Sequence, residues 1–214
     1  MNPKTLIVAT RNQHKAAELR RILRELDLPV LSLADLDLHG PNAEAEVVEH
    51  GTSYLENAWE KATRVAEWCR GAGWPAWVLA DDSGLEVAAL GGAPGVFSHR
   101  FAGPQADDEE NRQLLLERLH GVPCPQRGAC FRCTMVLVSA QGAVWWGEGR
   151  WEGWIATSAR GRGGFGYDPV FIPWLPGEGK TAAELEAETK AMFSHRGKAV
   201  RSLWPLLRDL LRNG

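Results

Sequence analysis

An α/β fold built on a substantial mixed sheet is predicted by three features of this 214-residue chain. Apolar runs of strand length, rich in β-branched residues, alternate with segments whose apolar residues recur every three or four positions. Glycine-rich loops separate them, and an apolar fraction of 44% beside 24% charged residues supplies a sizeable core while excluding a disordered, collagenous or fibrous chain. The length favours one domain over residues 1–214, bilobed rather than a string of small modules.

Thr5-Leu6-Ile7-Val8-Ala9 is a continuous apolar run of the kind buried on both faces of a sheet. Ala16, Leu19, Ile22, Leu23 and Leu26 then follow helical spacing, with Asn12 placed as N-cap or loop residue just ahead. A second helix is predicted over 55–70, with Ala58, Ala62, Val65, Ala66 and Cys69 on one face and Glu60, Lys61, Arg64 and Glu67 on others. Trp77-Val78-Leu79-Ala80 reads as a buried strand that ends at Asp81-Asp82-Ser83-Gly84. Gly91 to Gly95 form a loop, and the acidic stretch Asp107 to Glu110 opens a helix carrying Leu114, Leu115 and Leu119. Residues 129–138 and 143–151 pair as strands joined around Gln141-Gly142. A short strand near Val170–Ile172, a helix from about Thr181 and a final helix over 197–212, with a kink expected at Pro205, complete the order.

The balance of 24 basic and 27 acidic side chains, a formal charge of −3, lacks the basic stripe of a dedicated nucleic-acid binder. An anionic ligand therefore needs local cations or a metal. Leu6 to Ala9 is too short for a signal segment or a membrane span, so a soluble, cytoplasmic protein with no membrane partner is expected. Cys130 and Cys133 form a C-x-x-C within a predicted strand, where residues three apart face opposite ways, so buried reduced thiols are favoured over zinc or a redox bridge. The ten tryptophans are expected mostly in core or interface positions and name no ligand.

Two nucleotide signatures fail on context. Gly179-Lys180-Thr181 imitates a phosphate-binding loop, but Trp174 stands where its leading glycine is required. Gly161, Gly163 and Gly166 match the dinucleotide fingerprint, yet Tyr167-Asp168-Pro169 follows instead of a helix. The polar groups at strand ends remain. Thr10, Asn12 and Lys15 either converge on phosphate oxygens or serve as a helix cap beside a solvated lysine. Asp81 and Asp82 are either turn residues or ligand-facing carboxylates, with only one facing a given side. Glu46 and Glu49 either lie in a solvated acidic loop or supply a second carboxylate for Mg²⁺. Phe165 to Asp168, Lys190, His195 and Arg196 can stack on, accept from or donate to a base, or merely pack, turn and cap.

Taken in order, several segments resemble the inosine triphosphate pyrophosphatase family, the noncanonical purine nucleoside triphosphate pyrophosphatases. They are Ala9-Thr10-Arg11-Asn12-Gln13-His14-Lys15, Gly51-Thr52-Ser53-Tyr54-Leu55-Glu56-Asn57-Ala58 and Ala80-Asp81-Asp82-Ser83-Gly84-Leu85. Gly91-Gly92-Ala93-Pro94-Gly95, Gly163-Gly164-Phe165-Gly166-Tyr167-Asp168-Pro169, Glu178 to Leu185 and Ser194-His195-Arg196-Gly197 continue the match along the whole chain. The resemblance implies an elongated mixed sheet flanked by helices, two lobes around a central substrate cleft, a homodimer, and Mg²⁺-dependent hydrolysis of ITP, dITP and XTP to monophosphate and pyrophosphate.

By that resemblance Thr10, Arg11, Asn12 and Lys15 bind the triphosphate, and Asp82 activates water and meets the metal together with Glu49. Ser83 contacts substrate, Phe165, Gly166, Tyr167, Asp168 and Lys190 line the nucleotide, and His195 with Arg196 reads the base edge. The chain departs from the family pattern at Val48, where relatives often carry a second acid, at Arg11, where glycine is common, and at His99-Arg100-Phe101. Two other classes fit less well: a nucleotide-binding regulator without turnover, disfavoured by the retained Asp82, Glu49 and Lys15, and a redox or structural protein organised by the C-x-x-C.

Overall fold

β1 (Leu6–Val8) is bracketed by two parallel neighbours, β2 (Val30–Ser32) and β3 (Trp77–Val87), with Leu6 opposite both Val30 and Trp77. Its three side chains are fully buried, as expected of a parallel strand covered on both faces. This is a computed structural model, and it describes residues 5–36, 51–74, 76–177 and 179–213. The six strands run in the order β2-β1-β3-β4-β5-β6, where β4 is Gly128–Val138, β5 is Val144–Ile155 and β6 is Phe171–Pro173. β6 lies antiparallel to β5, so the sheet is mixed and the predicted α/β class holds.

The chain forms two compact units: Met1–Asp82 with Thr134–Glu148 and Ala199–Gly214, and Ser83–Cys133 with Gly149–Lys198. In the first, α1 (Gln13–Leu23) connects β1 to β2, and α2 (Tyr54–Gly71) precedes β3. α2 starts at Tyr54 because Ser53 and Glu56 form a reciprocal capping box. The core joins Ile7, Val78 and Ala80 of the sheet to Ala58, Ala62, Val65, Ala66 and Cys69 of α2, the face expected from spacing. Burial pushes the Cys69 thiol up to about 11, so it stays protonated and inert. Lys61 departs from expectation. It is buried, one helical turn from buried Asn57 on the same face, because both side chains have partners on β3 rather than in solvent.

In the second unit α3 (Asp108–Arg118) and the aromatic side chains of β4, β5 and β6 build the core, with Leu85, Leu115, Leu119, Phe131, Trp151, Tyr167 and Phe171 in one cluster. Buried Arg127 donates to three carbonyls, those of Leu119, Ile155 and Ala156, at 2.8–2.9 Å. Cys130 and Cys133 both lie on β4, Cys133 buried and Cys130 half-buried, and no disulfide joins cysteines among the described residues. Of the tryptophans, Trp77 stacks on Trp145 and Trp151 packs on Phe171, whereas Trp59, Trp146 and Trp174 are exposed.

Three expectations are corrected. β3 does not end at Asp81 but continues to Val87, because its two carboxylates are paired inside the fold and Gly84 lets the chain pass close to Gly95. The helix expected from Thr181 is instead a single tight turn, Ala182–Glu184, followed by α4 (Ala187–Phe193). The final helix, α5 (His195–Asn213), begins two residues early because the Ser194 hydroxyl accepts from the Gly197 N–H. Pro205 lies inside it, as placed from the sequence. The predicted strand pair stands, with β5 running on to Ile155 and the 139–143 loop closed by Ser139 N–H donating to Ala143 O at 2.8 Å.

Gly84 carries a stability prediction. A Cβ there would stand 2.1 Å from Gly95 O and 2.7 Å from Ser98 Oγ, the hydroxyl that accepts from Leu85 N–H. Gly84→Ala is expected to cost about 1–3 kcal/mol by overpacking, read as a lowered urea midpoint at unchanged slope.

Candidate active site

The first unit gathers two carboxylates and two ammonium groups from three elements. Asn12, N-cap of α1, accepts from His14 N–H at 2.9 Å and Lys15 N–H at 3.1 Å, and Thr10 Oγ1 accepts from Asn12 N–H at 3.2 Å. The capping role is therefore realised, and it fixes the turn from which Lys15 extends. Lys15 Nζ lies 3.2 Å from Asp81 Oδ2, with the lysine still partly exposed and Asp81 buried. Arg11 is exposed on the same turn.

Asp82 projects to the opposite face of β3, as strand alternation requires. Its Oδ2 accepts from Asn57 Nδ2 at 2.9 Å, and its Oδ1 is 3.7 Å from Lys61 Nζ. Lys61 also donates to Asp81 O at 2.6 Å, which ties α2 to β3 at this point. Asp82 is 4% exposed and Lys61 8%, so their attraction is little screened by solvent. Asn57 and Lys61 were not read as site residues from the sequence. The available signal is their four-residue spacing beside the alanine stripe of α2.

The second unit holds the remaining candidates. Ser83, next in chain to Asp82, accepts from Arg196 Nη2 at 2.6 Å. Lys190 Nζ donates to Asp168 Oδ2 at 2.5 Å, both groups buried, and the same oxygen accepts from Phe165 N–H at 2.8 Å. The Phe165 ring lies under two cations, with Lys190 Nζ at 4.9 Å and Arg196 Cζ at 5.2 Å from its centroid. Gly166 takes a positive φ of 57°. Tyr167 is buried and its hydroxyl donates to Ser98 O at 2.8 Å, and burial pushes that phenol well above its ordinary range. His195 is 2% exposed and stacks on Phe131 at 4.7 Å and 9°, inside the aromatic core.

Two of the expected site residues, Glu46 and Glu49, lie outside the described residues. Among the described residues no cluster of three or more His, Cys, Asp or Glu side chains is arranged to hold a metal. The buried Asp82 carboxylate supplies the kind of oxygen donor that a hard divalent cation prefers. No helix among the described residues is long and apolar enough to cross a membrane.

Known proteins match this chain over nearly its whole length. A dITP/XTP pyrophosphatase of Methylococcus capsulatus is 46% identical over 209 residues, covering 97% of this chain and 98% of the relative. One of Exiguobacterium is 49% identical over 198 residues, covering 92% and 94%. A solved structure of a HAM1 protein from Coxiella burnetii superposes with a TM-score of 0.75 at 38% identity, covering 96% of this chain and 98% of that one. The model of the Ham1 family matches residues 6–206, and with relatives of this identity and coverage the chain belongs to the Ham1 family.

Proposed function

We propose that this chain hydrolyses noncanonical purine nucleoside triphosphates (ITP, dITP and XTP) to the monophosphate and pyrophosphate, with Mg²⁺ as cofactor, and so cleanses the nucleotide pool. The observation that carries this reading is the buried Asp82 carboxylate, fixed by Asn57 at 2.9 Å with Lys61 at 3.7 Å, one residue from an Asp81 paired to Lys15. The pyrophosphatase names of the relatives support the reaction class. A cytoplasmic location, where free nucleotides are kept, and a homodimeric state accompany the reading on the family resemblance.

A bound triphosphate brings about four negative charges to a chain of net charge −3, so cations must meet it locally. In this reading Lys15 exchanges its Asp81 partner for a phosphate oxygen, and Thr10, Arg11 and Asn12 contribute a hydroxyl, a guanidinium and an amide from the same turn. Asp82 orients the attacking water and accepts its proton as the P–O bond breaks, which contributes about 10²–10⁴-fold. Asn57 holds that carboxylate in one orientation, and Lys61 stabilises its ionised form. Asp82 and Glu49 would hold the Mg²⁺, which supplies charge neutralisation on the triphosphate when bound.

For the base, Phe165, Gly166, Tyr167 and Asp168 form the lining turn, with Lys190 and Ser83 beside it. Hypoxanthine and xanthine present an acceptor at position six where adenine presents an amino donor. Donors from Arg196 and His195 leave adenine mispaired, and a mispaired buried donor is a strong source of discrimination.

Steady-state turnover of ITP, XTP, GTP and ATP, with Mg²⁺ and with EDTA, tests this reading. ITP and XTP are expected to turn over on the order of 10²-fold faster than ATP, and chelation is expected to abolish the reaction. Equal rates on ATP and ITP would contradict the base assignment, and full activity in EDTA the cofactor.

A further inference from the structure

The acidic start of α3 was read from the sequence as a helix signal only, and the proposed reaction does not use it. We infer that Asp108 and Arg112 are positioning residues for the nucleotide: they grip the two peptide groups that flank Gly166 and so hold the Phe165 turn in its binding geometry. This rests on the function proposed above.

Gly166 N–H donates to Asp108 Oδ2 at 2.7 Å, and Arg112 Nη1 donates to Gly166 O at 2.6 Å. The two side chains are four residues apart on α3 and so share one face of the helix. Each bond involves a charged group, which makes it stronger than an amide pair. The Arg112 guanidinium is steered by Glu109, whose Oε2 accepts from Nη2 at 2.5 Å, and α3 is itself anchored by Asn111, which bonds His99 O and Ala102 N–H.

The turn needs such a grip. Gly164 and Gly166 both have positive φ, 68° and 57°, so the segment has the freedom of two glycines in a left-handed conformation. A Cβ on Gly164 would stand 2.1 Å from Asp168 Oδ2, which shows how closely Asp168 is seated in the turn. Asp168 in turn bonds Phe165 N–H and Lys190, and Phe165 carries Lys190 and Arg196 over its ring. Without α3 the glycine pair samples other conformations, and the nucleotide must order the turn as it binds. The clamp therefore acts on affinity and leaves the water-activating carboxylate Asp82 untouched.

The test combines ITP kinetics with calorimetric binding of an α,β-methylene ITP analogue, on the full chain with Mg²⁺. Asp108→Ala and Arg112→Ala are each expected to raise KM and the analogue Kd about 5- to 20-fold, with kcat within about twofold of wild type. Asp108→Asn keeps a neutral acceptor for Gly166 N–H and is expected to recover most of the loss. The double alanine variant is expected to be less than additive, since both groups hold one turn. Should Asp108→Ala fail to fold by circular dichroism, Arg112→Ala and Asp108→Asn carry the test. Folded variants with unchanged KM and Kd, or with kcat reduced at unchanged KM, would overturn the clamp while leaving the pyrophosphatase reading in place. A wild-type chain that neither binds the analogue nor hydrolyses ITP would overturn both.

Discussion

Asp82→Asn is expected to lower kcat on ITP by about 10²–10⁴-fold while nucleotide affinity stays within about threefold of wild type. The substitution is nearly isosteric, the new amide oxygen still accepts from Asn57 Nδ2, now 2.9 Å from the carboxylate, and Lys61 keeps its bond to Asp81 O. What disappears is the negative charge that, in the proposed mechanism, accepts the water proton and would meet Mg²⁺. The measurement is a steady-state assay beside calorimetric binding of an uncleaved triphosphate analogue. Wild-type turnover by Asp82→Asn would remove Asp82 from the catalytic role. Asp81→Asn provides a contrast, since Asp81 is bonded to Lys15 and its loss is expected to disturb KM through the placement of that lysine.

Lys190→Met carries the largest expected effect on stability. Lys190 and Asp168 are both buried and bonded at 2.5 Å, so removing the ammonium strands a carboxylate in a poorly hydrated site, where the Phe165 N–H still bonds it. Breaking a buried pair from one side typically costs about 3–5 kcal/mol. The remaining amide bond places the expected loss near the lower end, about 3 kcal/mol. Lys190→Met combined with Asp168→Asn removes the stranded charge and keeps an acceptor for Phe165 N–H, so the double variant is expected to be more stable than the single by about 1–2 kcal/mol. Urea unfolding followed by circular dichroism checks both. A single variant that loses less than about 1 kcal/mol would show that Asp168 is hydrated or otherwise satisfied.

The elements with a run or a period long enough to read were legible in the sequence. β1 shows as an unbroken apolar run, and the inner face of α2 and the β4–β5 pair as spaced apolar positions, which packing then confirms. β2 is only three residues, Val30–Ser32, too short for any period, and it exists because β1 offers it an edge. Asp81-Asp82-Ser83-Gly84 has the composition of a turn, and tertiary partners such as Lys15, Lys61 and Asn57 satisfy its carboxylates within the strand. The same tertiary pairing hid Lys61 from sequence reasoning, since a lysine among alanines on a helix is ordinarily a solvent residue. Asp108 and Arg112 were masked in another way: acids at a helix start favour the helix dipole whether or not they touch anything else. Thr10, Asn12, Lys15 and Asp82, by contrast, stand out in the sequence as polar groups following apolar strand runs, and the roles proposed for them come from the family resemblance.

The central claim is tested most directly by identifying the products. Pure protein with Mg²⁺ and ITP is incubated and resolved by anion-exchange chromatography, with GTP and ATP run in parallel. The account predicts IMP and pyrophosphate in equal amounts, with ATP largely intact. Release of IDP with orthophosphate would contradict the pyrophosphatase chemistry, and nucleotide binding without any product would identify a regulator that does not hydrolyse its ligand.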